Sequence, residues 1–486
     1  MWIATATLAG AVVMAMELAA FRLYAPYFGN SIYVWGSLIS VVMVALSAGY
    51  ALGGWTADRW PTDAVLYFII LAAGIYQLVI VFVMRAVLLK LWLWGEFAGP
   101  VSATLIIFGP PMAGLAMCSP FVIRLLARAG HVGITVGKVF ALSTVGSIAG
   151  VLGTSFYLVP HFGTRATLEV LCAASLVIGA GGLMMRRKAA VALVVPAGLL
   201  FFARGPKPPA TLIYSGESAY NRIRVDDYKG LRMLLLNDPR YFQTLEKLGS
   251  QSSGFYLDDF ALGPLIVPAK NLLVLGMGAG GSIQASWAVA PELQVDAVEI
   301  DPAVVRVGHE FFGLPKNDAR LRVHIADARP WLAAHAEKRD IVHVDLFQGG
   351  PYVPFYLTTV EFFRLVKSRL AEGGVLMVNV YDASARRELL NAMGATLKAV
   401  FPTVEVDSTG KGNHIVFAFA QKKMREEVVE KLRAASGPDW VQKLAAKAAK
   451  EIAEFEPPAN ATIFMDDKAP IEEMTRQMLI ESQKTK

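Results

Sequence analysis

Asn271-Leu-Leu-Val-Leu-Gly276-Met-Gly278-Ala-Gly280-Gly281-Ser282 is the stretch that decides the fold of the C-terminal half. An apolar strand runs into a glycine-rich turn, and a helix pattern opens directly behind it. Glycines let the backbone approach a ligand closely, and a helix N-terminus presents free N–H donors. Such a turn is a weak signal alone, but its neighbours strengthen it. The next apolar run, Val295-Asp-Ala-Val-Glu-Ile300, places Glu299 at its end, 23 residues beyond Gly276. An acid there can accept both hydroxyls of a ribose. A third run ends in Ala326-Asp327-Ala328, with Asp327 positioned to receive an adenine amino group. Three features in this order point to a nucleoside site rather than a structural glycine turn.

Outward from that turn, strand and helix patterns alternate. Strands are expected at 271–276, 295–300, 322–326, 341–346, 374–380 and 414–420, and helices at 282–290, 302–311, 358–371 and 383–400. This order predicts a doubly wound, mostly parallel, Rossmann-like α/β sheet over 261–486, with a helical extension at its C-terminal end. Upstream, short strand-like runs at 211–214, 220–226 and 231–236, with Lys229-Gly230 as a turn, predict a small β-hairpin subdomain over 211–260. Arg204-Gly-Pro-Lys-Pro-Pro209 reads as a stiff linker spanning 204–210. A dinucleotide pyrophosphate and an S-adenosyl sulfonium both suit a glycine turn followed by an acid. The fourth strand, Ile341-Val-His-Val-Asp345, favours the sulfonium, because Asp345 faces the crevice at the carboxyl ends of the strands. Its structural alternative is to cap the loop that follows.

The first half is of another kind. Over the 486 residues 55% are hydrophobic, and the charges are concentrated after about residue 207. Residues 1–203 read as a transmembrane helical domain, with apolar stretches of spanning length at 2–25, 33–56, 62–84, 100–126, 135–160 and 164–185. A seventh stretch, 189–203, is short, contains Pro196, and suits a tilted span, a re-entrant piece or an interfacial helix. The segment 85–96, with Arg85, Lys90 and Glu96 around Trp92 and Trp94, suits an interfacial linker. The apolar run after Met1 lacks a basic start and a small-residue cleavage site, so it reads as a first span rather than a signal peptide. Basic residues gather around Arg59, around Arg124, Arg128 and Lys138, and at Arg186, Arg187 and Lys188. Those connections alternate, so six spans with both ends cytoplasmic fit the positive-inside rule. This predicts a multi-pass protein of the cell membrane with its C-terminal domain in the cytoplasm and the lipid bilayer as its partner.

Two features of this half invite a functional reading. Gly49-Tyr-Ala-Leu-Gly-Gly-Trp-Thr-Ala-Asp58-Arg59 is similar to a loop motif of major facilitator transporters, in which Asp58 and Arg59 would gate. The simpler reading is a helix end with close-packing glycines. Glu17, inside the first span, is a functional candidate by its position, or half of a structural pair with Arg22. Other classes are excluded. The net charge of +6 lies in membrane-flanking residues, and no basic block interleaved with aromatics suggests nucleic-acid binding. The two cysteines, Cys118 and Cys172, sit in apolar segments, so no disulfide framework or metal site is expected.

At this point residues 211–400 resemble the polyamine aminopropyltransferases (spermidine synthases), in the branch fused to a membrane domain and with the class I S-adenosylmethionine-dependent methyltransferase fold. The matching pieces are Tyr220-Asn221-Arg-Ile-Arg-Val, Leu236-Asn-Asp, Gln243, Tyr256, the glycine turn, Val298-Glu299-Ile-Asp301, Asp327-Ala328 and Val344-Asp345. Pro354, Leu357-Thr-Thr and Glu361-Phe-Phe follow, and Met465-Asp466-Asp467-Lys-Ala-Pro470 matches a loop of the fused branch. The resemblance implies a transferase of polyamine biosynthesis. Its donor would be decarboxylated S-adenosylmethionine or S-adenosylmethionine itself, its partner a small-molecule amine, with no metal involved and a homodimer left open. Glu299 would hold the ribose and Asp327 the adenine amine, while Asp345 would orient the amine and take its proton. Gly276, Gly278, Gly280, Asn221, Gln243, Asp301 and Ala328 would serve the donor side, and Tyr220, Tyr256 and Gln348 the amine side.

The departures bear on the substrate. Where spermidine synthases carry an Asp in the glycine turn, this chain has Ala279; a second Asp of the loop after the catalytic one is replaced by Gln348. An acidic pair is replaced by Gln251-Ser-Ser-Gly, with Asp258 and Asp259 nearby. A desolvated diamine needs carboxylates, so these changes argue against putrescine. Besides an aminopropyltransferase-like enzyme, two readings stand. One is a methyltransferase acting on an amine or lipid-soluble substrate; the other is a transporter with a nucleoside-sensing domain.

Overall fold

The computed structural model describes residues 1–28, 32–91, 94–127, 132–185, 209–238, 240–408 and 412–484. The chain divides into two compact units, Met1–Pro209 with Gly216–Ala219, and Ala210–Ser215 with Tyr220–Lys486. The apolar stretch 189–203 and the segment 204–208 of the linker lie outside the described residues.

Among the described residues of the first unit, five helical stretches are long and apolar enough to cross a membrane: Trp2–Ala25, Val34–Arg59, Asp63–Leu91, Gly109–Leu126 and Val132–Met184. The last is 53 residues long. As one straight helix it would measure about 80 Å against a hydrocarbon core of about 30 Å. Gly163 interrupts it with φ 82° and ψ 167°, between the spans expected at 135–160 and 164–185. The stretch expected as one span at 100–126 is instead three successive helices, Gly95–Ile107, Gly109–Ala116 and Cys118–Leu126. Pro110 and Pro111 open the second of these, and proline cannot supply the N–H that an unbroken helix needs. The expected linker at 85–96 is also revised. Asp63–Leu91 continues helically through Arg85 and Lys90, because that segment holds good helix formers and no breaker.

Small residues set the contacts between these helices. A Cβ on Gly53 would meet the Met117 Cα at 2.7 Å, and one on Gly49 would meet the Ala116 Cβ at 2.7 Å. The glycines of the transporter-like motif are thus used for close packing, as in other membrane helix pairs. Asp58 accepts from Arg124 Nε at 2.9 Å, an exposed pair that ties the ends of two helices together. Cys118 and Cys172 are free and buried.

The second unit opens with a four-stranded sheet in the order β1-β2-β3-β4: Leu212–Glu217, Arg222–Tyr228, Leu231–Leu236 and Phe242–Lys247. Lys229 and Gly230, at φ 50° and 77°, form the turn between β2 and β3, as a two-residue hairpin requires. The fourth strand was not expected; its Thr244 reaches the glycine turn.

The larger sheet has eight strands in the order β12-β10-β11-β9-β8-β5-β6-β7. They are β5 Asn271–Leu275, β6 Gln294–Glu299, β7 Leu321–Ile325, β8 Arg339–Val344, β9 Leu370–Tyr381, β10 Thr403–Ser408, β11 Asn413–Phe419 and β12 Ala453–Glu454. Pairing is parallel from β7 through β6, β5 and β8 to β9, and antiparallel beyond. Leu272, Leu273, Val274 and Leu275 are each at most 1% exposed, as a strand covered on both faces must be. The chain leaves β5 toward β6 and β7 on one side, then returns to β8 on the other. The carboxyl ends of β5 and β8 therefore flank a topological switch point, where sheets of this kind bind ligands. Strands β10 and β12 and the helix Ala328–Ala334 were not expected, and the helix expected at 358–371 is shorter, Val360–Lys367, because β9 begins at Leu370.

Candidate active site

The site grows from the turn after β5. Gly276, Gly278 and Gly280 all have positive φ (82°, 53° and 90°), so a side chain at any of them strains the backbone. A Cβ on Gly276 would also run into the Asp345 carbonyl, and one on Gly278 would stand 2.8 Å from Thr244 Oγ1. The Ala279 N–H donates to Thr244 Oγ1 at 3.0 Å, which fixes the turn against β4. Glu299, at the end of β6, accepts from the Gly278 N–H and from the Asp301 N–H, each at 3.1 Å. Burial pushes its carboxyl up to about 7, against the backbone donors of Asp301, Gly278 and Ile300 that pull it down.

Asp345 follows β8 directly, and its N–H donates to the Leu275 carbonyl at 3.0 Å, locking it to the start of the glycine turn. Asn379 Nδ2 donates to Asp345 Oδ1 at 2.9 Å, and the Tyr256 hydroxyl donates to Oδ2 at 3.2 Å. Asn379 is held in turn by Asn413 Nδ2 at 3.0 Å. Tyr256 also lies 3.2 Å from the Gln243 carbonyl, and Gln243 Nε2 donates to the Gly350 carbonyl at 3.2 Å. Burial pushes the Asp345 carboxyl up to about 6, against the two side-chain donors. Burial and the neighbouring carboxylate hold the Tyr256 phenol well above its ordinary range. Asp345 is thus oriented on both oxygens, with its acidity weakened toward neutrality, as suits a group exchanging protons.

Asp327 follows β7 and caps the helix Ala328–Ala334 by accepting from the Arg329 N–H. Its other oxygen accepts from the Tyr356 hydroxyl at 2.8 Å. Ala328 is buried at the first helical position. The Arg329 guanidinium binds the Tyr356 carbonyl at 2.8 Å and both oxygens of Asp466 at 2.8 and 2.6 Å. Asp466 also accepts from Thr359 Oγ1 at 2.7 Å.

The remaining expected residues divide by what their side chains touch. Asn221 Nδ2 donates to Asp301 Oδ2 at 2.9 Å, and the other Asp301 oxygen caps the helix Pro302–Phe311 through the Ala303 N–H. Asn237 bridges Asn221 Oδ1 at 2.9 Å and the Gln348 carbonyl at 2.6 Å, so the loop after Asp345 is tied to the small sheet. The Gln348 side chain is exposed, as is Tyr220, at 48%. Ala279 is fully buried among Ile223, Val225, Leu236 and Val304. Asp258 accepts from Ser252 Oγ, Ser253 N and Oγ and Gly254 N, so it organises the loop over 250–254. Sequence reasoning missed Asn379, Tyr356 and Thr244. Asn379 alone left a trace, as the single polar side chain in Val375-Leu-Met-Val-Asn-Val380. Among the described residues no group of three or more His, Cys, Asp or Glu side chains is arranged to hold a metal ion.

Residues 263–426 match the family model of the spermine/spermidine synthase domain. A probable polyamine aminopropyl transferase of Bifidobacterium longum is 30% identical over 281 residues, covering 54% of this chain and 61% of that protein. The chain thus spans about three-fifths of this relative's length. A polyamine aminopropyltransferase of Corynebacterium efficiens is 26% identical over 418 residues, 79% of this chain and 77% of that protein, so the match extends well into the apolar half. An eEF1A lysine and N-terminal methyltransferase of Mus musculus is 32% identical over 164 residues, covering 32% of this chain and 23% of that protein.

Proposed function

We propose that this chain, which carries a spermine/spermidine synthase domain over residues 263–426, is a membrane-anchored enzyme that transfers the aminopropyl group of decarboxylated S-adenosylmethionine to an amine. The observation that carries this reading is the convergence of the glycine turn, Glu299 and a doubly oriented Asp345 at the switch point between β5 and β8. An adenosyl donor offers hydroxyl and amino hydrogens, and the site offers acceptors. Glu299 takes the ribose hydroxyls on lone pairs left over from its backbone donors, and Asp327 takes the adenine amino group beside Tyr356. Asp301 and Asn221 brace the Glu299 turn. Gln243 and Tyr256 brace the loop around Asp345.

Asp345 draws the acceptor's ammonium into place and takes one of its protons. The freed nitrogen lone pair attacks the carbon bound to sulfur; the C–N bond forms as the C–S bond breaks. The bonding pair stays on sulfur, so a neutral thioether, methylthioadenosine, departs. Asp345 then gives its proton to solvent. Orientation and a carboxylate aimed at a cation supply the rate. The apolar half anchors the enzyme, with six crossings if Gly163 divides the last stretch, and with the C-terminal domain on the cytoplasmic side.

The test incubates the purified protein with decarboxylated S-adenosylmethionine, or with S-adenosylmethionine, and an amine panel, and follows products by mass spectrometry. Amine-dependent methylthioadenosine release is the expected result. S-adenosylhomocysteine with a methylated amine would instead make the chain a methyltransferase. Donor binding without turnover would favour a nucleoside sensor.

A further inference from the structure

We infer that the amine accepted at Asp345 carries a single positive charge on an apolar or aromatic body, which lies against a wall of tyrosines. The inference rests on the reading above, that Asp345 receives the amine.

Three carboxylates near this crevice, Asp238, Asp258 and Asp382, are already committed. Asp238, 3.6 Å from a Cβ built on Gly350, holds the Arg240 guanidinium with both oxygens at 2.5 to 3.1 Å. Asp258, two residues from Tyr256, accepts four hydrogen bonds from the loop over 250–254. Asp382, next to Tyr381, accepts from Ser384 N and Oγ and from Leu390 N. Asp345 accepts one hydrogen bond on each oxygen, from Asn379 and Tyr256, and so keeps lone pairs for an ammonium where these three carboxylates have spent theirs. One ammonium fits that arrangement. A second, at the far end of a diamine, would lose water without gaining a carboxylate.

Tyr381 lies two residues beyond Asn379 on β9, and side chains two apart on a strand share a face. Its ring meets that of Tyr241 edge-on, 5.8 Å between centroids. Tyr256 stacks on Phe242 at 6.4 Å and 20°. Burial and Tyr381 push the Tyr241 phenol up to about 12, so this wall stays neutral at physiological pH. Tyrosine faces attract one cation and cover apolar carbon, but they do not replace a missing counter-charge.

The test compares kcat/KM of the full-length protein, with decarboxylated S-adenosylmethionine as donor, for amines matched in length: butylamine against putrescine, and pentylamine against cadaverine, with phenethylamine as the aromatic case. The monoamine of each pair is expected to lead by about tenfold or more. Gln348→Asp, on the exposed loop after Asp345, adds a carboxylate without disturbing a buried group. It should raise the diamine-to-monoamine ratio of kcat/KM by about tenfold. Tyr381→Leu should raise KM for phenethylamine with kcat nearly constant. A wild-type protein that prefers the diamine of each pair overturns the inference and leaves the transferase reading standing. Absence of thioether release with every amine contradicts the transferase reading, and the inference falls with it.

Discussion

Asp345 and Glu299 are carboxylates whose burial works against their own ionisation. Glu299 is pushed up to about 7 and Asp345 to about 6, above the ordinary carboxylate range near 4. A raised pKa means the fold holds these protons where the unfolded chain releases them. Each group therefore costs stability as pH rises through the window between the ordinary value and its own. The site is held in place by the rest of the domain. For the reaction the sign is reversed, because Asp345 accepts a proton only when ionised. Turnover at saturating donor is expected to rise with pH through about 6 and then level off, and a pH–rate profile checks this. A flat profile across that region would remove Asp345 as the proton acceptor. Glu299→Ala should remove two hydrogen bonds to a charged acceptor, worth about 3 kcal/mol in methylthioadenosine affinity. Unchanged affinity by calorimetry would mean that the nucleoside lies elsewhere. Both acids were legible in the sequence because each ends an apolar strand. Asn379 was legible only as the one polar side chain of an apolar strand, and its contact with Asp345 gives that polarity its role.

At the scale of elements, the strands carrying the site were legible and the pieces bracing it were not. Strands β5, β6 and β8 are apolar runs closed by a glycine or an acid. By contrast β4, Phe242-Gln-Thr-Leu-Glu-Lys247, is mostly polar, yet its Thr244 fixes the glycine turn. Strand β10 hid for a similar reason, because Glu405 and Asp407 are buried in it where a sequence reading expects solvent. The helix Ala328–Ala334 is short and contains Pro330, so its pattern is weak. The loop of Met465 to Pro470 was noted as a motif, and the structure gives it a role. Asp466 clamps Arg329, which holds the Tyr356 backbone, while the Tyr356 hydroxyl donates to Asp327. Asp466→Asn keeps the shape but removes the charge. It should weaken methylthioadenosine binding by about three- to tenfold, roughly 1 kcal/mol, and leave kcat nearly unchanged. Titration calorimetry showing wild-type affinity would reduce Asp466 to a surface ion pair.

For the whole molecule, composition separates an apolar half from a globular half, and the five membrane-length helical stretches among the described residues overlap the six apolar stretches expected. How many times the chain crosses was less legible. The sequence separates spans at 135–160 and 164–185, and the backbone at Gly163 breaks the 53-residue stretch between them, whereas the span expected at 100–126 is divided into three helices. By the positive-inside rule, basic residues flanking alternate helices lead us to propose that both ends face the cytoplasm, where sulfonium donors are made. A C-terminal reporter is therefore expected to be active only in the cytoplasm; activity on the opposite side would overturn both the sidedness and the count of six. The central claim is that Asp345 activates an amine against an adenosyl sulfonium. Its most direct test is methylthioadenosine release from decarboxylated S-adenosylmethionine by the full-length protein and by Asp345→Asn, alongside thioether binding to both. The account predicts amine-dependent release that falls by about 10²–10⁴-fold in the Asn variant, with thioether affinity preserved. Wild-type release from the Asn variant, or a wild-type protein that binds the donor and cleaves it with no amine, would contradict it.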